Sequence, residues 1–238
     1  IRYSRSVKGC IVITSDKCYS NQETSRGYCE SDPLGGHDPY SSSKACQEIV
    51  TAAYRQSYFQ KGPVIATARA GNILGGGDWG KDRLVPDCVR ALSKDKPITI
   101  RNPNAIRPWQ YVLEPLYGYL LLGARMLQEG QKYAGAWNFG PQKMKYLTVK
   151  ELVEQAITSW GDGKYVLDKG PHPHEAKLLR LNSTKANKTL GWKNIYNNRK
   201  AVKKTIDWYR DYYSGTENMY ERTLKEIKDY EKALKAMV

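Results

Sequence analysis

Tyr40 and Lys44 stand four residues apart in the stretch HDPYSSSK. On a helix that spacing puts both side chains on one face. A free phenol titrates near ~10, too high for a base at neutral pH, and a neighbouring ammonium favours the phenolate. The pair is therefore suited to taking a proton from a sugar or alcohol hydroxyl. Alone, the spacing is that of any helix face and reads more simply as a core-edge Tyr beside a solvated Lys. A second group of reactive types lies upstream in ITSDKCY, where Ser15, Asp16 and Lys17 place a hydroxyl, an acid and a base side by side.

These groups need elements to hold them. Residues 9–15 form a short β-branched run that reads as a buried strand. Asp38-Pro39 caps and starts a helix running to about residue 59, with Ala45, Ile49, Ala52, Ala53 and Tyr54 on its apolar side. Residues 63–70 (PVIATARA) form a second buried strand, followed by Gly71-Asn72 and the cluster Gly75-Gly76-Gly77. A helix over 84–94, a strand over 97–101, a helix over 112–129 and a strand over 136–140 come next. Thr148 and Glu151 make a capping box that opens a helix to residue 160. Edge strands are expected over 165–168 and 177–181, and helices over 183–190, 199–213 and 217–237. Such alternation indicates a parallel α/β sheet, whose chemistry gathers at the carboxyl ends of its strands. Ser15-Asp16-Lys17 occupies one such end, and Arg69-Ala70-Gly71-Asn72 another.

Bulk properties narrow the classes. The chain has 238 residues, 40% of them apolar, enough for one large domain or two small ones. No apolar run approaches the ~20 residues of a membrane span, and no secretory signal opens the chain. Cys10, Cys18, Cys29, Cys46 and Cys88 form no CxxC pair and read as free thiols in a reducing cytoplasm. His172 and His174 are too sparse for a metal site. The net charge of +14 admits nucleic acid, a membrane surface or an anionic small substrate as partner. Lys225, Lys228, Lys232 and Lys235 share their helix with Glu221, Glu226, Asp229 and Glu231, which reads as a solvated face rather than a nucleic-acid patch.

The order of a polar strand end with Ser15, then YxxxK opening the next long helix, resembles the short-chain dehydrogenase/reductase superfamily. ITSDKCY looks like the strand end of nucleotide-sugar 4,6-dehydratases, where a Thr-Asp-Glu triplet occupies the place of Ser15-Asp16-Lys17. Lys in the third place, with HDPYSSSK, RAGNILGGGDW, LVPD and RPWQYVLEPL, is similar to CDP-glucose 4,6-dehydratases, from about residue 9 to 213.

The resemblance implies an NAD-linked cycle on a nucleotide sugar. C4 is oxidised while Tyr40, assisted by Lys44 and Ser15, takes the hydroxyl proton. Water then leaves across C5–C6, and C6 is reduced. Asp16 fits the acid for the departing hydroxyl if burial keeps it protonated. Lys17 suits the C5 base only if its ammonium is held neutral; otherwise it orients Asp16 electrostatically. Tyr40 and Lys44 would also meet the cofactor. Asn72, Arg107 and Arg180 would contact the substrate diphosphate, and Val85 and Pro86 would lie near its base. Arg107-Pro108-Trp109 also reads as a loop packed by Trp109, and Arg180 as a side chain pointing outward from an edge strand. Gly75-Gly76-Gly77 lacks the Gly-Lys-Ser/Thr ending of a phosphate loop and reads as a flexible turn.

The expected architecture is α/β: the C-terminal part of a Rossmann-type parallel sheet over residues 1–75 and 105–140, and a smaller α/β nucleotide-sugar-binding domain over 76–104 and 141–238. No strand, GxGxxG and helix with a downstream acid occurs in the sequence. The chain is thus expected to begin inside the family's sheet, without the cradle for the cofactor pyrophosphate, and to bind NAD+ weakly or not at all in isolation. Exposed sheet edges and uncovered helix faces would then endanger solubility. The helices 40–59 and 112–129 would form a homodimer bundle or cover the sheet. Three rivals stand beside this reading: a nucleotide-sugar 4-epimerase on the same fold, a basic nucleic-acid-binding module, and an inactive truncated remnant. An epimerase has no leaving hydroxyl to protonate, so Asp16 and Lys17 discriminate against it. A nucleic-acid module predicts steeply salt-dependent affinity.

Overall fold

The computed structural model describes residues 1–141, 146–170 and 178–237; His172, His174 and Lys177 lie outside the described residues. In chain order the elements are β1 (Gly9–Ile13), α1 (Pro39–Tyr58), β2 (Val64–Ala70), β3 (Ile73–Leu74), α2 (Leu84–Leu92), β4 (Ile98–Ile100), β5 (Gln110–Tyr111), α3 (Leu113–Glu129), β6 (Gly135–Phe139), α4 (Val149–Trp160), β7 (Tyr165–Leu167), α5 (Asn198–Ser214) and α6 (Met219–Lys235). The strands pair in parallel throughout: β1-β2-β6 in one sheet, β3-β5 and β4-β7 in two small ones. The chain divides into two compact units. Unit 1 comprises Ile1–Gly71, Glu114–Gln142 and Leu178–Lys193; unit 2 comprises Asn72–Leu113, Lys143–Lys177 and Asn194–Val238.

In unit 1, α1 crosses from β1 to β2 and α3 leads into β6, the helical crossovers that parallel neighbours require. Every residue of β2, the central strand, is buried. Val64, Ala66 and Ala68 pack with Leu122 and Met126 of α3 and with Trp137 and Phe139 of β6. Gly118 permits this approach, because a Cβ there would stand 2.4 Å from the Phe139 ring.

Thr67 and Arg69 are the polar exceptions in β2, two residues apart and so on one face. Glu48 of α1 meets both. Arg69 Nη2 and Thr67 Oγ1 donate to Glu48 Oε2 at 2.8 and 2.7 Å, and the Thr14 hydroxyl, just past β1, donates to Glu48 Oε1. Glu48 and Arg69 are each 3% exposed. Arg69 Nη1 also donates to the Tyr19 hydroxyl at 2.8 Å and to the Glu30 carbonyl at 3.2 Å. Tyr19 passes the chain on to Asn138 Oδ1 of β6 at 2.8 Å. Burial alone would push the Glu48 carboxyl up. The Arg69 hydrogen bond and charge, joined by Thr14 and Thr67, overcome it and hold the group below 4.5. Burial raises the Tyr19 phenol despite Arg69, which keeps its proton available for Asn138.

This network corrects the expected inward face of α1. Ser41, Ala45, Glu48 and Thr51 are buried, whereas Ile49 and Tyr54 are half exposed. The helix turns its polar stripe inward because Thr14, Thr67 and Arg69 supply the partners that a buried carboxylate needs.

Unit 2 gathers Cys88 and Leu92 of α2, Ile98 and Ile100 of β4 and Val153 of α4 into its core. The capping box forms as expected: Glu151 N donates to Thr148 Oγ1 at 3.1 Å, and Thr148 N to Glu151 Oε2 at 2.8 Å. The glycine cluster is packed rather than loose. A Cβ on Gly76 would fall 2.1 Å from the Trp208 ring of α5, so only glycine admits this contact. Glu226 of α6 is not part of a solvated face. It is buried, accepts from the Tyr111 hydroxyl at 2.6 Å, and pairs with Arg222 at 2.9 Å.

Two further expectations change. Among the described residues of 177–181, Leu181 makes one isolated bridge to Tyr28 and no strand forms. The expected helix over 183–190 contains a π-type turn, Ala186–Leu190, closed by Gly191 at φ +74°.

Replacing Glu48 by Gln leaves Arg69 charged and buried without its partner. A loss of about 3 kcal/mol at pH 7 is expected. Because the folded-state pKa of Glu48 lies below the unfolded 4.5, its contribution is present above that value and is lost as pH falls through the folded one. The difference between wild type and E48Q in urea melts should therefore narrow below pH 4.5; an unchanged difference at about pH 3 contradicts the assignment. Gly118→Ala, which overpacks Phe139, should cost ~1–3 kcal/mol in the same melts.

Candidate active site

β1 ends where its apolar run ends, at Ile13, and the chain turns tightly two residues later. Ser15, in extended backbone, caps a one-turn 3₁₀ helix, Asp16–Cys18. Lys17 N donates to Ser15 Oγ at 3.2 Å, and the Ser15 hydroxyl donates to Asp16 Oδ1 at 3.0 Å. Ser15 and Asp16 are buried, at 8% and 4% exposure, while Lys17 projects to the surface. Cys18, next along, is buried, and burial lifts its thiol to about 12, so it is a packing residue rather than a nucleophile.

The start of α1 lies against this turn. Asp38 caps the helix by accepting from Ser41 N at 2.9 Å, and Pro39 takes the first helical position. The hydrogen bonds from Ser41, aided by the charge of Lys17, hold the Asp38 carboxyl below 3.8. Tyr40 follows at 52% exposure. Two ammonium groups approach its ring, with Lys17 Nζ 5.7 Å and Lys44 Nζ 5.8 Å from the ring centroid. Lys44 Nζ is steadied by Gln47 Oε1 at 3.3 Å.

Of the sequence-derived residues, Ser15, Asp16, Lys17, Tyr40 and Lys44 all belong to unit 1, and the contacts above link Lys17 to both Tyr40 and the Ser15–Asp16 pair. Arg180 also belongs to unit 1. It stands in irregular chain rather than an edge strand: its carbonyl accepts from Tyr28 N at 2.9 Å and its Nη1 donates to the Ser25 carbonyl at 3.1 Å. Asn72, Val85, Pro86 and Arg107 belong to unit 2. The Asn72 carbonyl accepts from Gln110 N at 3.0 Å. Val85 and Pro86 are buried in the first turn of α2. Arg107 is half buried, with Nη1 on the Ile106 carbonyl at 2.9 Å. Among the described residues no cluster of three or more His, Cys, Asp or Glu side chains could hold a metal ion, and no helix is long and apolar enough to cross a membrane.

Sequence reasoning missed Glu48, Thr14 and the role of Arg69. A signal was present. Arg69 is the one charge in VIATARA, and Glu48 continues the four-residue spacing of Tyr40 and Lys44. A charge in a buried strand calls for an opposite charge on the helix that covers it.

The model of the GDP-mannose 4,6 dehydratase family matches residues 3–205. A CDP-glucose 4,6-dehydratase of Salmonella typhimurium is 44% identical over 232 residues, covering 94% of this chain and 64% of that protein. A dTDP-D-glucose 4,6-dehydratase of Mus musculus is 26% identical over 91% of this chain and 59% of its own length. The chain therefore spans 64% and 59% of the lengths of these relatives. Among solved structures, dTDP-glucose 4,6-dehydratase from Bacillus anthracis in complex with NAD superposes with a TM-score of 0.69 at 22% identity, over 84% of this chain and 61% of that one. UDP-glucuronic acid 4-epimerase from Bacillus cereus, in complex with UDP-glucuronic acid and NAD, gives 0.76 at 16% identity, over 89% and 64%. At these identities the structures establish a shared Rossmann-type α/β fold. With the family model matched across most of its length, the chain belongs to the GDP-mannose 4,6 dehydratase family.

Proposed function

We propose that the protein dehydrates a nucleotide sugar, converting CDP-D-glucose to CDP-4-keto-6-deoxy-D-glucose with NAD as cofactor. The observation that carries this reading is the Tyr40 ring approached by the Lys17 and Lys44 ammonium groups, beside a turn that buries Asp16 against Ser15. The 44% identity to a CDP-glucose 4,6-dehydratase supports the choice of sugar nucleotide. Tyr40 and Lys44 carry donors suited to the ribose hydroxyls of NAD, so this end of the cofactor fits the residues present. Bound NAD would supply the hydride acceptor for C4 and the hydride donor for C6.

The chain's own groups do the proton work. Tyr40 takes the proton from the C4 hydroxyl, with the Lys44 ammonium beside its ring. Ser15 hydrogen-bonds the same oxygen. The C4 ketone acidifies the C5 hydrogen, which passes as a proton to water while Asp16 gives its own proton to the departing C6 hydroxyl, so that water is lost across C5–C6. Lys17, exposed and facing Tyr40, acts as a fixed cation that orients the pair. An acid at C6 is needed for dehydration and not for epimerisation, which favours the dehydratase over the epimerase. The diphosphate candidates are Asn72 and Arg107 in unit 2 and Arg180 in unit 1, and Val85 and Pro86 are the candidates for the base. The protein acts in the cytoplasm, in keeping with its five free cysteines. It acts as a homodimer, for which the exposed Ile49, Val50 and Tyr54 of α1 and Leu120 and Leu127 of α3 offer apolar surface.

The full-length protein, incubated with NAD and CDP-glucose, UDP-glucose or dTDP-glucose in parallel, should yield 4-keto-6-deoxy product fastest from the cytidine nucleotide. Tyr40→Phe should lower kcat by ~10²–10⁴-fold. Failure to lose the C6 hydroxyl from any of the three, or a Tyr40→Phe variant as fast as wild type, refutes the reading.

A further inference from the structure

Resting on that reading, we propose that Glu48 and Thr14 are positioning residues, a clamp that sets the spacing between the Ser15-Asp16-Lys17 turn and the Tyr40–Lys44 helix. The two halves of the proton-transfer machinery come from different elements. One is a strand end and the other a helix start, and no hydrogen bond within either fixes its distance from the other. Glu48 joins them with the two oxygens of one carboxylate. Oε2 is held on the sheet by Arg69 at 2.8 Å and Thr67 at 2.7 Å. Oε1 accepts the hydroxyl of Thr14, the residue bonded to Ser15. On the helix side, Glu48 stands one turn, ~6 Å of rise, beyond Lys44. On the strand side, Thr14 N donates to the Ala68 carbonyl at 2.9 Å, so the link begins where the β1–β2 ladder ends.

The four groups are at most 7% exposed. In so dry a setting the Thr14–Glu48 bond has no water to replace it. Its loss frees the turn to move relative to α1, and small displacements of reacting groups cost large rate factors. Substrate binding through the diphosphate would be untouched.

The test uses one chemical change at two places. Thr14→Val and Thr67→Val each remove one hydroxyl donor from Glu48, but only Thr14 adjoins the catalytic turn. Both should lower the urea midpoint to a similar degree. T14V should lower kcat by about tenfold or more with KM for CDP-glucose within about twofold, whereas T67V should leave both within about twofold. Thr14→Ser, which keeps the hydroxyl, should restore kcat. Glu48→Asp gives a second route if T14V does not fold. It keeps the charge facing Arg69 but withdraws the carboxylate by one methylene, and should also lower kcat at unchanged KM. Equal kcat in T14V and T67V, or full kcat in E48D, overturns the clamp. A full-length wild-type protein that forms no 4-keto product overturns the dehydratase reading, and the clamp with it.

Discussion

The buried pair of Glu48 and Arg69 is the constraint on which unit 1 depends. Taking two charges out of water is expensive, and such pairs often add little net stability compared with an apolar replacement. What the pair supplies is a fixed relation among parts. The guanidinium leaves β2, the carboxylate leaves α1, and between them they collect Thr14 from the end of β1, Thr67 from β2 and Tyr19 from the turn that follows. Hydrophobic packing alone tolerates sliding of a helix over a sheet. A desolvated carboxylate held through both of its oxygens does not, because every other placement leaves a charge without a partner.

The same network explains how the irregular chain between the turn and α1 is held. Tyr19 stacks on Tyr28 at 5.1 Å between ring centroids, and Arg69 lies over the Tyr19 ring. Asn138 of β6 receives the Tyr19 hydroxyl and donates to the carbonyls of Tyr28 and Asn182. Glu30 completes the loop by accepting from Asn138 N at 2.9 Å. A segment with little regular structure is thereby pinned to β2 and β6 near their carboxyl ends, through Arg69 and Asn138.

The alternation of strands and helices was legible because parallel strands must be apolar on both faces and crossovers must be helical. The capping box, the start of α1 at Asp38-Pro39 and the reactive turn at Ser15 were legible for similar local reasons. The inward face of α1 was not. Periodicity assigns the core side to apolar residues, so Ile49 and Tyr54 took the place that Glu48 and Thr51 occupy. Glu226 was misread in the same way: among many charges on α6, only the positions of Tyr111 and Arg222 distinguish the buried one. The pairing of β3 with β5, two residues each, carries too short a pattern to read before the fold is known. Local sequence reports what a segment prefers, whereas a buried charge is decided by a partner far along the chain.

The four-residue row Tyr40, Lys44, Glu48 shows how one helix serves both surface chemistry and core. Four residues advance about 400° around an α-helix, so each member lies about 40° further round than the last. Tyr40 is half exposed, Lys44 is intermediate, and Glu48 is buried. A phenol that must reach a substrate, an ammonium that must stay charged beside it, and a carboxylate that must anchor the helix thus follow from one spacing and the twist of the helix. A row spaced at seven would keep all three on nearly one face, and would leave either the phenol in the core or the carboxylate in water. The drift of the four-spaced row lets a residue in the core govern where two residues at the surface stand.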